Sequence, residues 1–308
     1  MGYPAQVRIV ADLPLPGAGR TGERFQRFAE LARRDLVLAR LAEGHADAVA
    51  IRAELGDTDP AGSGDQRWGV WAAAPSSLKA SRSDAGWTVS GDRPWCSGAA
   101  ECTHALVTAA APDGIRLFAV EVREPWATPL DGTWPAVGMA GSDSRTVRFA
   151  DVPARPLGGP GSYVDRPGFW HGGVGVAACW YGGAVGVADT LLAAARKREL
   201  SPHALAHLGA VDVQLHAARL VLDEAATKID ADPRANAEEL AVRVRATVES
   251  AATRVLEHVG RALGAGPLGH DEAHAHRVAD LTVYLRQSHA EADLAHLGTL
   301  LKENPPAW

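Results

Sequence analysis

Cysteine is scarce in this chain: 308 residues hold three, Cys96, Cys102 and Cys179. An odd number without CxxC spacing weighs against a disulfide framework or a zinc ribbon, and reduced thiols make a cytoplasmic location the expectation. Long apolar runs are missing too, since nothing approaches the roughly 18 to 20 uninterrupted apolar residues of a membrane span. The opening Met1-Gly-Tyr-Pro-Ala-Gln-Val-Arg8 lacks the positively flanked apolar stretch of a signal peptide. No charge sign dominates. The formal charge of -6 is spread over a mixed-sign surface, without the basic stripe that draws nucleic acid. Neither nucleic acid nor membrane is expected as a partner, and any polyanion must be held by local Arg, backbone N–H and helix ends.

What is present is enough apolar material, 46% of the residues against 22% charged, to bury a core of about two domains' worth of chain. Glu23 to Leu55 is rich in Ala, Leu, Arg and Glu and reads as two short helices broken near Gly44. Turn formers from Gly56 to Asp65 mark a surface loop. From Arg67 to about Arg155 the runs are short, β-branched or aromatic: Trp68-Gly-Val-Trp-Ala, Trp87-Thr-Val-Ser, Ala105-Leu-Val-Thr-Ala, Leu117-Phe-Ala-Val-Glu-Val and Thr146-Val-Arg-Phe. Each is bounded by Gly, Pro, Asp or Ser, which argues for a small β-barrel or sandwich.

After Gly159-Pro-Gly161 the apolar period becomes three and four. Leu208, Val211, Leu215, Ala218, Leu222, Ala225 and Ile229 form one stripe, and Ala237, Ala241, Val244, Val248, Ala251 and Val255 form the next. Two further helices are expected from about Gly173 to Lys197 and from Glu272 to Leu301, with Pro233 and Pro267 near the joints. Four such helices imply an antiparallel four-helix bundle. The expected fold class is α+β and multidomain: a short helical N-terminal segment over 1–66, a β-domain over 67–160 and the helix bundle over 161–308.

Three motifs carry a resemblance. Trp87-Thr-Val-Ser-Gly-Asp-Arg-Pro-Trp-Cys-Ser-Gly98, Gly138-Met-Ala-Gly-Ser-Asp-Ser-Arg-Thr-Val-Arg-Phe-Ala-Asp-Val-Pro153 and Val176-Ala-Ala-Cys-Trp-Tyr-Gly-Gly-Ala-Val-Gly-Val-Ala188 lie in that order. They resemble the middle-domain signature, the strand closing that domain, and the first bundle helix of the acyl-CoA dehydrogenase-like flavoproteins. The resemblance covers most of residues 67 to 301. It implies FAD held between β-domain and bundle, a small acyl substrate, and a homo-oligomer, dimer or tetramer, built by the bundle helices.

The resemblance also implies site residues. In the Trp95-Cys96-Ser97 segment, Trp95 would be a flat wall for the flavin ring and Ser97 would place a hydroxyl at its edge, being two residues along a strand. The other reading makes both core or turn residues. Arg198, with Arg196 and Lys197, ends the first bundle helix where the family has an Arg for the cofactor pyrophosphate, although cations there also suit the helix dipole. Glu257-His-Val-Gly-Arg-Ala-Leu-Gly-Ala-Gly266 is similar to the family's Gly-rich helix end, putting Gly260 and Gly264 at the cofactor and His258 where Gln is usual. A core histidine is the alternative for His258.

Departures from the pattern bear on activity. Ser288 or a neighbour stands where many members have the Glu that takes the α-proton, which leaves Glu291 as the candidate base, or His289, against a solvated helix face. Trp71 and alanines replace a polar Thr-Glu run, giving a more apolar pocket. Only about sixty-six residues precede the β-domain, roughly half the family's usual roof. His270 and His274, at i,i+4, have metal-type spacing in a segment that also reads as an acidic helix start. The leading expectation is an FAD-dependent oxidoreductase acting on an acyl thioester or related small molecule. Its rivals are a non-catalytic partner subunit of a hetero-oligomer and a flavin monooxygenase.

Overall fold

The computed structural model describes residue 10 and residues 12–57, 66–73 and 77–303. The Met1–Arg8 start, Thr58–Asp65 of the expected surface loop and Ala74–Ser76 lie outside the described residues. The chain divides into two compact units, one containing Arg40–Ala136 and Ala140–Phe169, the other Pro14–Ala39, Val137–Met139 and residues from Trp170 onward.

Two helices come first, α1 (Thr21–Arg34) and α2 (Leu36–Glu54). They break at Asp35 rather than at Gly44, which lies inside α2. The Asp35 backbone N–H donates to the Leu31 carbonyl at 2.8 Å, and its carboxylate accepts from the Leu38 N–H at 2.9 Å. One aspartate thus closes α1 and caps α2, a local signal stronger than a mid-helix glycine.

In the first unit seven strands form one sheet: β1 (Trp68–Trp71), β2 (Lys79–Ser83), β3 (Gly86–Arg93), β4 (His104–Ala111), β5 (Gly114–Glu121), β6 (Ala127–Pro129) and β7 (Val147–Leu157). Neighbours run β4-β2-β3-β7-β5, and β5 pairs back to β4, so five strands close into a barrel with β1 added beside β4 and β6 beside β7. The closing rung between β2 and β4 is the single pair Lys79 and Ala110. Sequence periodicity misses β2 because Lys-Ala-Ser-Arg-Ser carries no β-branched or aromatic residue. It is a strand because it hairpins onto β3 over five residue pairs.

Alternation then sorts the side chains. Ala105, Val107 and Ala109 of β4 and Phe118 and Val120 of β5 point into one core with Trp71, Val89, Val147, Phe149 and Val152. The in-facing positions of β7 skip from 149 to 152, where Asp151 sits at φ 50° and the register against β3 shifts. Leu106, Leu117, Ala119 and Leu157 point the other way, against Ala48 and Ile51 of α2 and Trp68.

The second unit is helical: α1, then α4 (Pro167–Lys197, which follows the short α3, Ser162–Asp165), α5 (Pro202–Ala231) and α6 (Glu238–Leu263). Of the expected stripes, Val211, Ala218, Leu222, Ala225 and Ile229 are buried on α5, and Ala241, Val244, Val248, Ala251 and Val255 on α6. α4 is long and apolar enough to cross a membrane, yet 61% of its most apolar window is buried within the chain. Its glycines serve contact with α1: a Cβ on Gly182 would stand 2.2 Å from the Ala29 carbonyl oxygen. The single helix expected over 272–301 is instead three pieces after the short α7 (Gly266–His270). These are α8 (Glu272–Tyr284), a 3-10 turn and α9 (Glu291–Glu303), with Ala290 at φ 48° in the break.

Candidate functional site

The barrel unit carries the most site-like feature. β3 ends at Arg93, and residues 94–102 form turns, not the strand the sequence suggested. Trp95 and Ser97 therefore do not share a strand face. Trp95 is 61% exposed, whereas Ser97 is buried. Trp95 sits at φ 64°, a left-handed conformation that costs a bulky residue on the order of 1–3 kcal/mol and gathers at functional sites. Its ring meets Trp134 edge to face, with centroids 5.8 Å apart. Together they wall an open cleft of about 320 Å³, completed by Pro94, Pro135, Ala136, Thr133, Ser144 and Thr146. Among the described residues no charged side chain lines it.

Of three buried, mutually bonded hydroxyls, Ser144 lines this cleft and two others back it. Ser142 Oγ lies 2.8 Å from Ser144 Oγ, which lies 2.9 Å from Ser97 Oγ. Backbone bonds knit the two segments: the Cys96 N–H donates to the Arg145 carbonyl and the Gly98 N–H to that of Ser142. Asp143, itself at φ 43°, accepts from the Ala100 N–H and pairs with Arg145 at 2.6 Å. Cys96 faces inward, wholly buried, with its thiol directed at the Arg93 carbonyl and burial pushing its pKa well up, so it is an inert core thiol. Cys102 and Cys179 are likewise buried thiols, and neither is in a disulfide.

Trp71 does not line the cleft as an apolar wall. It is 1% exposed, and its indole N–H donates to the Ser97 carbonyl at 3.0 Å. Beneath it Arg93 is buried, donating to the Trp71 and Ala73 carbonyls and to Thr108 Oγ1, and burial lowers its pKa.

The remaining candidates lie on the helical unit and do not form one group. His258 on α6 is half-buried with its Nδ1 2.9 Å from Nδ1 of His207 on α5. That contact puts the start of α5 beside the end of α6, so Arg198, exposed just beyond α4, and Gly260 and Gly264 share this end. Gly264 closes α6 at φ 68°, and the space where a Cβ would stand at either glycine is open. Glu291, exposed, opens α9 between two contacts that fix its height: Arg286 to Glu249 at 2.6 Å and His296 to Glu238 at 2.8 Å. It therefore lies along the first half of α6, at least nine residues, or roughly 13 Å, from His258. His289 is held by Asp293 at 3.2 Å.

His274 is buried against Thr190 Oγ1 at 2.9 Å, and burial lowers its pKa. Among the described residues no three His, Cys, Asp or Glu side chains are grouped to hold a metal. Among the described residues of the helical unit, Asp280 of α8 has a perturbed carboxylate. Burial raises its pKa while it accepts the Met139 N–H at 2.5 Å. Neither period nor spacing marks Asp280 or Trp134, and Ser144 lies within the 138–153 segment with no signal of its own.

No protein-family model matches the chain, and no curated protein matches it either. Solved structures do. Dibenzothiophene monooxygenase (TdsC) from Paenibacillus sp. A11-2, which has also been solved in complex with FMN and indole, matches with a TM-score of 0.77 at 21% identity, over 93% of this chain and 87% of that one. Methanesulfinate monooxygenase MsuC from Pseudomonas fluorescens gives 0.75 at 18%, over 94% and 85%. The 3-HSA hydroxylase from Rhodococcus sp. RHA1 gives 0.71 at 18%, over 92% and 83%. This chain has the acyl-CoA dehydrogenase-like fold that these monooxygenases share.

Proposed function

We propose that the protein is a monooxygenase working with reduced flavin, FMN rather than FAD, on a small, neutral, ring-containing substrate. The observation that carries this is the cleft of Trp95 and Trp134: two indole walls, the hydroxyl-bearing Thr133, Ser144 and Thr146, and no charged side chain among the described residues. That lining suits a flat, uncharged heteroaromatic ring such as the isoalloxazine. It offers no carboxylate to take a proton from carbon, which is what dehydrogenation of an acyl thioester needs. FMN in the solved complex of TdsC supports the choice of flavin, and FMN needs only one phosphate held.

When bound, reduced flavin supplies the two electrons with which dioxygen becomes one inserted oxygen atom and one water. The chain's own residues would do the rest. Trp95 and Trp134 hold the ring in place, their apolar faces keep bulk water off it, and Ser144, backed by Ser142 and Ser97, presents a hydroxyl that can give or take a hydrogen bond at the ring edge.

The test is direct. The protein is mixed with FMN or with FAD and passed through gel filtration, and the spectrum is read for the flavin bands near about 370 and 450 nm. Chemically reduced FMN, air and a neutral aromatic such as indole should then give a product heavier by one oxygen atom. Retention of FAD with bleaching by an acyl thioester would replace this reading with the dehydrogenase.

We further propose a homo-oligomer through α5. Leu205, Val213 and Leu220 are 51%, 62% and 51% exposed. Their spacing of eight and seven puts them within one helix face. A repeating apolar stripe on an outward face is an association surface.

A further inference from the structure

We infer that Trp71 is the positioning residue of the cleft: its buried indole N–H locks the Trp95–Ser97 turn in the strained form that presents Trp95 and aligns the serine hydroxyls. The inference rests on the flavin reading above. The amides at 96 and 98 are tied to the neighbouring segment through Arg145 and Ser142, and the Ser97 N–H points back to the Trp95 carbonyl at 3.1 Å. The Ser97 carbonyl faces the other way, into the barrel, where the Trp71 N–H meets it at 3.0 Å. The thiol of Cys102, a weak donor, stands farther off at 3.8 Å. Take the indole N–H away and a buried carbonyl loses its strong donor. The peptide then gains by turning, and the turn carries Ser97 Oγ away from Ser144.

The position of Trp71 is itself built. A Cβ on Gly69 would lie 2.5 Å from Trp71 Nε1, so glycine two residues earlier on β1 leaves room for the indole to fold back over the strand. Phe149 closes on the ring edge to face at 6.3 Å. The seam between α2 and β1, bounded by Arg40, Gly44, Gly69, Trp71 and Ser97, has no room for a water molecule that could replace the N–H. A clamp of this kind explains a departure in the sequence. An aromatic donor stands in a strand position where the resemblance leads one to expect polar groups for a ligand, and here the donor serves the turn instead.

The experiment compares the full-length protein with Trp71→Phe, which keeps a ring and drops the N–H, and Trp71→His, whose ring nitrogen falls where Nε1 stood. Trp180→Phe is the control. Trp180 is equally buried, and its Nε1 has no hydrogen-bond partner among the described residues. Equilibrium binding of FMN is followed by flavin fluorescence, the shape of the visible band is recorded, and thermal midpoints monitor folding. Trp71→Phe should weaken FMN binding about tenfold and change the band shape, Trp71→His should recover part of both, and Trp180→Phe should alter neither. FMN binding by folded Trp71→Phe equal to that of the unaltered protein overturns the clamp and leaves the flavin site standing. If Trp71→Phe fails to fold, equal weakening by folded Trp71→His and by Trp180→Phe overturns it instead. Failure of the unaltered protein to bind FMN removes the flavin site and the inference with it.

Discussion

His45 should make the barrel unit sensitive to acid. It is buried on α2, and its Nδ1 accepts the backbone N–H of Trp68 at 3.1 Å, which requires a neutral ring. Burial, and then the Arg52 guanidinium nearby, pull its pKa from 6.5 to about 4. Arg52 lies 4.2 Å over the Trp68 ring, and His104 stacks on that ring at 4.8 Å, so protonation would strike a packed cluster. A depressed histidine contributes stability that is intact above its unfolded value and is lost as pH falls from about 6.5 toward 4. A gap of about 2.5 units corresponds to about 3 kcal/mol once both states are protonated, and to about 2 kcal/mol at pH 5. His45→Asn retains an acceptor for the Trp68 N–H and cannot titrate. Urea unfolding of both proteins at pH 7.5 and pH 5 should show the unaltered protein losing about 2 kcal/mol more than the variant. His274, also depressed, is common to both proteins and cancels. Equal losses in the two proteins would refute the assignment of a neutral, desolvated His45.

Asp280→Asn should raise the thermal midpoint at pH 7 and leave it unchanged near pH 3. The raised carboxylate is destabilising once ionised, and the amide still accepts the Met139 N–H. Joint replacement of Trp95 and Ser97 by Ala should weaken FMN binding by at least tenfold, read by fluorescence titration. An unchanged affinity and spectrum would remove the cleft as the flavin site. Val213→Glu should lower the molar mass seen by light scattering, because a charge would be buried in the proposed α5 contact. A mass unchanged from that of the unaltered protein would count against that face.

Much of the fold was legible where long periodic runs existed. Of the stripe from Leu208 to Ile229, Val211, Ala218, Leu222, Ala225 and Ile229 are buried and Leu208 and Leu215 half-buried, and the stripe continuing from Ala241 to Val255 is buried, because packing and period act in the same direction. The helix breaks were not legible from glycine alone. Gly44 passes unnoticed inside α2, whereas Asp35 ends one helix and starts another through two hydrogen bonds that spacing does not show. β2 depends on its pairing with β3 rather than on its own residues.

At the candidate site, the motif singles out Trp95 but does not show its geometry. A strand was expected where a left-handed residue turns the chain, and only that turn separates an exposed indole from a buried serine. Trp134 lies in Gly132-Thr-Trp-Pro-Ala136, a turn-rich segment in which an aromatic flanked by Thr and Pro was the available signal. Its partner across the cleft is some forty residues away in sequence, and no local pattern joins the two.

The left-handed backbone at Trp95 also has a history to tell. Glycine there would relax the turn, and asparagine would cost less than an indole, so selection for stability alone favours either. Across relatives of this chain, then, position 95 should act as a record. Lineages that still need a flat wall in the cleft keep an aromatic against the grain of the backbone, and lineages whose cleft has fallen idle let it go first, while the barrel core around Phe118 and Val147 stays as it was.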